Sequence, residues 1–404
     1  MFFNFSARVF VAITQLYAIS IFTEIHDSKT TSIIILLFGY IIWFQLFELG
    51  FTQTIQNRFN RIKVKVKNIT IIILFQYIVV LLISLLNLKL NFFSFLLLNN
   101  IDYITSNEHK NIFDLGCSLI LLTTNNLLIH RFLILYRKSY ISNFILFFQS
   151  LITCCSLFFY KMNFGLDPRI SVILYFFPQL LLTLPILINL ILRLFYSKNT
   201  KKIKTNIFSL LKYSSSFLLI SFLSSFLLGL DYLILSYFSN PKDILSYHVT
   251  IRFFYFSFMI YFAYITFAAK KVGKRSDISN LYKIKQIKQN TIFIGLTSTC
   301  LIYFLLLFLN TFKVLDFITN GIEIDEIILF TAFIYFIIRV FADTRLIIAQ
   351  NLSYKINLIK LYSLQISISL ICMPILCYYI GGVGILLSLS LSYLFGFLIK
   401  LEEK

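Results

Sequence analysis

Apolar runs of about twenty residues, parted by short polar breaks, recur from one end of the chain to the other. The breaks delimit candidate membrane spans near 2–23, 31–51, 69–90, 112–134, 140–160, 169–195, 209–236, 246–269, 290–311, 326–349, 357–379 and 382–399. At about 1.5 Å of rise per residue, each is long enough to cross a bilayer as a helix. The pattern predicts an all-α polytopic membrane protein with twelve transmembrane helices, and an even number puts both termini on one side. Pro178 and Pro185 in span six and Pro374 in span eleven predict bends, which lipid tolerates where neighbouring helices satisfy the freed carbonyls.

Composition agrees: 59% of the 404 residues are hydrophobic and 13% charged, so no segment is left for a separate soluble domain. The net charge of +19 raises nucleic acid as a partner, but the cations sit in loops, which is how topology is encoded. Alternate loops hold 25 Lys and Arg on one side against 7 on the other, which carries most of the loop acids. The basic side is cytoplasmic by the positive-inside bias, so both termini are expected in the cytoplasm. The N-terminus lacks a basic n-region and a cleavage site, so it reads as a retained first helix. SKNTKKIKTN, residues 197–206, is a basic cytoplasmic linker between an N-terminal lobe, 1–196 with spans one to six, and a C-terminal lobe, 207–404 with spans seven to twelve.

Little in the chain suggests catalysis. The four histidines are scattered, no nucleophile–base cluster has readable spacing, and no GxxxxGK[ST] motif is present. The six cysteines lie in apolar segments without metal spacing and read as small buried apolar residues; no metal site and no bound cofactor are expected. Movement of something across, or within, the membrane is what remains.

A charge inside a span costs about 2.5–3.5 kcal/mol on insertion scales and needs a partner, a cavity or a route to the interface. Arg8 lies in span one, where a cavity role and snorkelling are equally open. Asp231 late in span seven and Arg252 early in span eight can pair across the intervening hairpin, or edge a polar cavity with Arg252 reaching for an anion. Arg339 and Asp343, four residues apart in span ten, predict an internal ion pair, and Arg345 a snorkelling anchor. Glu48 and Asp114 read as solvated helix ends.

Two stretches resemble a known family. FELGFTQTIQNRFN, residues 47–60, ends span two with an acid, Leu-Gly, a Gln and Asn-Arg: Glu48, Leu49, Gly50, Gln53, Asn57 and Arg58. Residues 210–256, with Phe217, Asp231 and Arg252-Phe253, resemble the second-lobe entry of the same proteins, although KRSD at 274–277 has Ser276 where Gly is expected and the upstream Trp-Pro and Glu are missing. With the span count, they make the chain similar to the Wzx-type oligosaccharide flippases of the superfamily that holds MATE exporters and lipid II flippases. The resemblance implies a two-lobed bundle with spans one, two, seven and eight around a central cavity, and alternating access for an undecaprenyl-pyrophosphate-linked repeat unit of O-antigen or another surface polysaccharide. It implies Arg8 and Arg252 as pyrophosphate contacts, Glu48 and Asp231 as cavity or gating acids, and Gly50, Gln53, Asn57 and Arg58 as a cytoplasmic gate. Coupling to protons or sodium stays open, as does partnership with a polysaccharide polymerase and chain-length regulator. A MATE-like drug or cation exporter is the first rival and a membrane polysaccharide polymerase the second; the longest outer loop, about 91–111, is short for the latter.

Overall fold

In the computed structural model of the chain, residues 2–44, 66–98, 101, 106–135, 138–163, 167–196, 207–272, 281–315, 319, 321–322, 324–351 and 355–399 are described. Among them no strand occurs. The helices are α1 (Phe2–Ile25), α2 (Ser28–Phe44), α3 (Val66–Leu90), α4 (Phe92–Leu98), α5 (Asn107–Leu135), α6 (Ser139–Asn163), α7 (Pro168–Tyr196), α8 (Ile207–Phe238), α9 (Pro241–Val272), α10 (Leu281–Thr311), α11 (Glu326–Asn351) and α12 (Lys355–Gly396). Stretches of α3, α6, α7, α8, α10, α11 and α12 are long and apolar enough to cross a membrane, and α1 and α2 hold shorter apolar stretches. Large apolar side chains such as Phe159, Phe293 and Leu301 point outward, as a surface solvated by lipid requires. Helices α7 and α12 run on through the prolines at 178, 185 and 374.

Local signals explain the helix starts. Asp27 caps α2, its Oδ1 accepting the Thr30 amide at 3.3 Å while its carbonyl takes the Thr31 amide. Asn240 caps α9 through the Asp243 amide at 2.9 Å, with Pro241 at the first helical position, where its missing N–H costs nothing. Asp325 plays the same part for α11 through the Ile327 amide.

The chain divides into two compact units, Met1–Ser225 and Phe226–Lys404, with the division inside α8. In the first, α5 is the central helix, packed by α2, α3, α4, α6 and α7, while α1 lies against α6. In the second, α11 is central, packed by α9, α10 and α12. Each unit is thus built around its fourth long helix. The segment 45–65, with Glu48, Gly50, Gln53, Asn57 and Arg58, and the linker 197–206 lie outside the described residues.

Helix α12 is two spans joined with almost no loop. Ile380 and Gly381 alone leave helical geometry, Gly381 at φ 56°, ψ −137°, where a Cβ is disfavoured. Leu361 and Gln365 nevertheless sit against Gly396, whose Cβ position is 3.0 Å and 2.8 Å from them. A continuous helix would separate 365 from 396 by about 46 Å. The chain therefore reverses at 380–381, and its arms, 355–379 and 382–396, pack antiparallel. With α12 counted as two and the short helix α4 set aside, the described helices number the twelve expected spans.

Candidate functional site

Buried polar side chains of the second unit gather where α8, α9 and α11 meet. The tight α8–α9 turn sets Asp231 and Tyr232 beside Tyr247 and His248, sixteen residues on. Tyr247 donates its hydroxyl to Asp231 Oδ2 at 2.8 Å, and the Tyr232 amide reaches Oδ1 at 2.8 Å. The Tyr232 hydroxyl meets His248 Nδ1 in a short contact, and Arg252 Nε donates to His248 Nε2 at 3.2 Å. Asp231, Tyr232, Tyr247 and His248 are all buried, while Arg252 is partly exposed. A path thus runs from Asp231 to Arg252 through Tyr232, by its amide and then its hydroxyl, and His248, with Tyr247 a side branch on Asp231.

The ion pair on α11 forms the neighbouring part of the cluster. Arg339 Nε donates to Asp343 Oδ2 at 3.0 Å, and Nη1 donates to the hydroxyls of Tyr255 at 2.9 Å and Tyr335 at 3.3 Å. The guanidinium carbon lies 5.2–5.9 Å from the ring centroids of Phe258, Tyr255, Tyr335 and Phe336. Arg339 is 5% exposed. A cation so enclosed is compensated three ways, by a carboxylate, by phenol oxygens and by ring faces. Asp231 and Tyr335 both lie within its electrostatic reach. The cluster is therefore an almost dry polar band in which two arginines and two acids are held in fixed order.

Other predicted residues fall elsewhere. Arg8 lies on the first turns of α1, and its side chain is outside what is described. Arg345 does more than snorkel: its guanidinium bonds the carbonyls of Phe397 and Ile399 and lies over the Phe397 ring, holding the turn that follows α12. Asp114 corrects the expectation of a solvated helix end, being 1% exposed. Its Oδ1 accepts the Ser94 amide at 2.9 Å, while Asn87 accepts that of Phe93 at 2.8 Å and donates to the Asp114 carbonyl. Together they close the α3–α4 corner, where Asn91 has φ 50°. The six cysteines are free, and Cys155 is exposed rather than buried.

Sequence reasoning passed over Tyr232, Tyr247, His248 and Tyr255. A signal was available on α9: His248 and Arg252 are four residues apart, and Tyr255 follows on the same face. The histidine's importance rests on Tyr232, which only the hairpin geometry brings to it.

No family model matches the chain. It is 25% identical over 403 residues to a curated protein of Salmonella typhi described as a putative O-antigen transporter, covering 96% of this chain and 90% of that one. Among solved structures, the lipid II flippase MurJ in an inward closed conformation matches with a TM-score of 0.68 at 16% identity, covering 98% of this chain and 86% of the other. An inward-facing multidrug resistance MATE family transporter of the MOP superfamily matches with a TM-score of 0.65 at 13% identity, covering 97% and 96%. The chain has the fold of these transporters over essentially its whole length.

Proposed function

We propose that this chain is a Wzx-type flippase of the MOP superfamily, moving a polyprenyl-pyrophosphate-linked oligosaccharide repeat unit of O-antigen or another surface polysaccharide from the cytoplasmic to the periplasmic leaflet. The observation that carries the reading is the match to an O-antigen transporter along nearly the full length of both chains, joined to the fold of a lipid II flippase. On this reading the protein is a multi-pass transporter of the inner membrane, not an enzyme, with both termini cytoplasmic. Two lobes, 1–196 and 207–404, joined by the linker 197–206, alternate access while the lipid tail stays in the bilayer.

The sugars and the pyrophosphate need a polar, cationic path. Arg252, partly exposed at the edge of the polar band, and Arg8 are its anion contacts, because a guanidinium matches phosphate oxygens bidentately. Asp231 and Glu48 hold or release them through the cycle. Gly50, Gln53, Asn57 and Arg58 form the cytoplasmic gate. A drug or cation exporter of the same fold is the second reading, favoured by the MATE neighbours; the partly exposed Arg252 favours an anionic cargo instead.

A deletion strain tests the reading. It is expected to accumulate the lipid-linked unit on the cytoplasmic leaflet, whereas loss of a polymerase would leave single units exported and loss of a drug exporter would leave surface polysaccharide intact. Arg8→Ala and Arg252→Ala are each expected to reduce surface polysaccharide at unchanged protein level, and normal assembly in both rejects the assignment of those residues. Gly50→Leu is expected to block export without preventing insertion.

A further inference from the structure

We infer that His248 is a proton-binding site linked to anion binding by Arg252, because a proton and the Arg252 guanidinium compete for one lone pair, that of His248 Nε2. The inference deepens the flippase reading and rests on it for the anionic cargo.

Guanidinium N–H groups only donate. Since Arg252 Nε donates to His248 Nε2 at 3.2 Å, that nitrogen carries no proton, and the single proton of the neutral imidazole sits on Nδ1, aimed at the Tyr232 hydroxyl. The ring is fully buried, with both nitrogens engaged. Adding a proton at Nε2 sets N–H against N–H and puts two positive charges in contact, so Arg252 must turn away. Conversely, an anion that draws the guanidinium aside leaves the lone pair open and brings negative charge near the ring. Protonation and anion binding then favour each other, each by the same factor. The proton comes from water, and no other chemistry is required.

The surroundings support a gain of one proton. From α8 the ring faces Tyr232, with Asp231 behind it; from its own helix come Tyr247, Arg252 and Tyr255; from α11, Arg339 with Asp343 and Tyr335 complete the band. Arg252, bonded to the ring, opposes a second positive charge there at rest. Asp231 is the carboxylate best placed to offset one once Arg252 has moved, since its current donors are a phenol and an amide rather than a cation. Transport would in this way acquire a protonation step inside the second unit, set by where the arginine is.

The test is nuclear magnetic resonance of the full-length protein in lipid nanodiscs with isotope-labelled histidines, His248→Gln assigning the signal of residue 248. Wild type is expected to show a neutral, Nδ1-protonated ring from about pH 5.5 to 8. In Arg252→Gln its titration midpoint is expected to rise by about one unit or more, because a neighbouring charge and a donor are both removed. Arg252→Lys serves the same comparison if that variant does not fold, with a smaller rise expected. Farnesyl pyrophosphate is the ligand probe. Calorimetry in two buffers of different ionisation heat is expected to show proton uptake on binding, absent in His248→Gln. An Nε2-protonated tautomer in wild type, or a midpoint unmoved by loss of Arg252, overturns the competition. Farnesyl pyrophosphate bound without proton uptake overturns only the link to anion binding. A midpoint moved by Arg252→Gln in a protein that does not bind the probe overturns the anion role of Arg252 itself, and the link with it.

Discussion

Helices α5 and α11 hold the same place in their units, each the central helix on which its neighbours pack, yet they carry charge in opposite ways. Asp114 of α5 is spent on the backbone: with Asn87 it receives the amides that open α4 and so fixes a corner. Arg339 and Asp343 of α11 fix no corner. They are complementary charges held among tyrosine hydroxyls and aromatic faces, next to Asp231. One architecture thus supports a structural acid in its first half and a charge cluster in its second. The polarity a central helix carries in this fold is set by which side chains it presents, not by the helix arrangement.

The comparison breaks most sharply at Arg339. Arg339→Ala leaves Asp343 buried without its cation and is expected to cost about 3–5 kcal/mol, seen as a large fall in the thermal unfolding midpoint in detergent. Arg339→Met with Asp343→Leu is expected to recover most of that stability while transport stays lost. If the double variant transports normally, the α11 pair is as structural as Asp114. Next in size, Gly116→Ala in α5 would place a Cβ 2.2 Å from Leu37 of α2 and is expected to cost about 1–3 kcal/mol, relieved by Leu37→Ala. Gly295→Ala in α10 makes the matching test in the second unit, where Val340 of α11 and Tyr261 of α9 stand 2.6 Å and 2.8 Å from the added Cβ. Smallest is Asp114→Asn, which keeps one acceptor for the Ser94 amide. A loss of about 1 kcal/mol in unfolding stability is expected, with transport retained in proportion to folded protein. A transport defect beyond that would give Asp114 a role the comparison denies it.

The helical architecture was readable from the sequence because apolar length is nearly all that a bilayer asks of a span. The α11 pair was readable too, because four residues on one helix is a local relation. Asp114 was misread for the opposite reason: its partners, Asn87 and Ser94, lie on α3 and α4, and α4 lies outside the expected spans. The polar band was half legible. Asp231 and Arg252 stand out as charges, but tyrosine and histidine in an apolar run look like ordinary membrane residues until a hairpin sets Tyr232 against His248. Arg345 shows the same limit, since the carbonyls it holds are more than fifty residues away.

The reversal at Ile380–Gly381 bears on how the protein is made. Two residues give the last two spans no slack, so neither arm can pass into the bilayer while the other waits at the surface. They are expected to insert as one hairpin, since Leu376 and Gly384 touch as soon as the turn closes. A side chain at 381 that resists positive φ would therefore show first as a defect in biogenesis, with the second arm left outside the membrane and the chain degraded before transport could be measured.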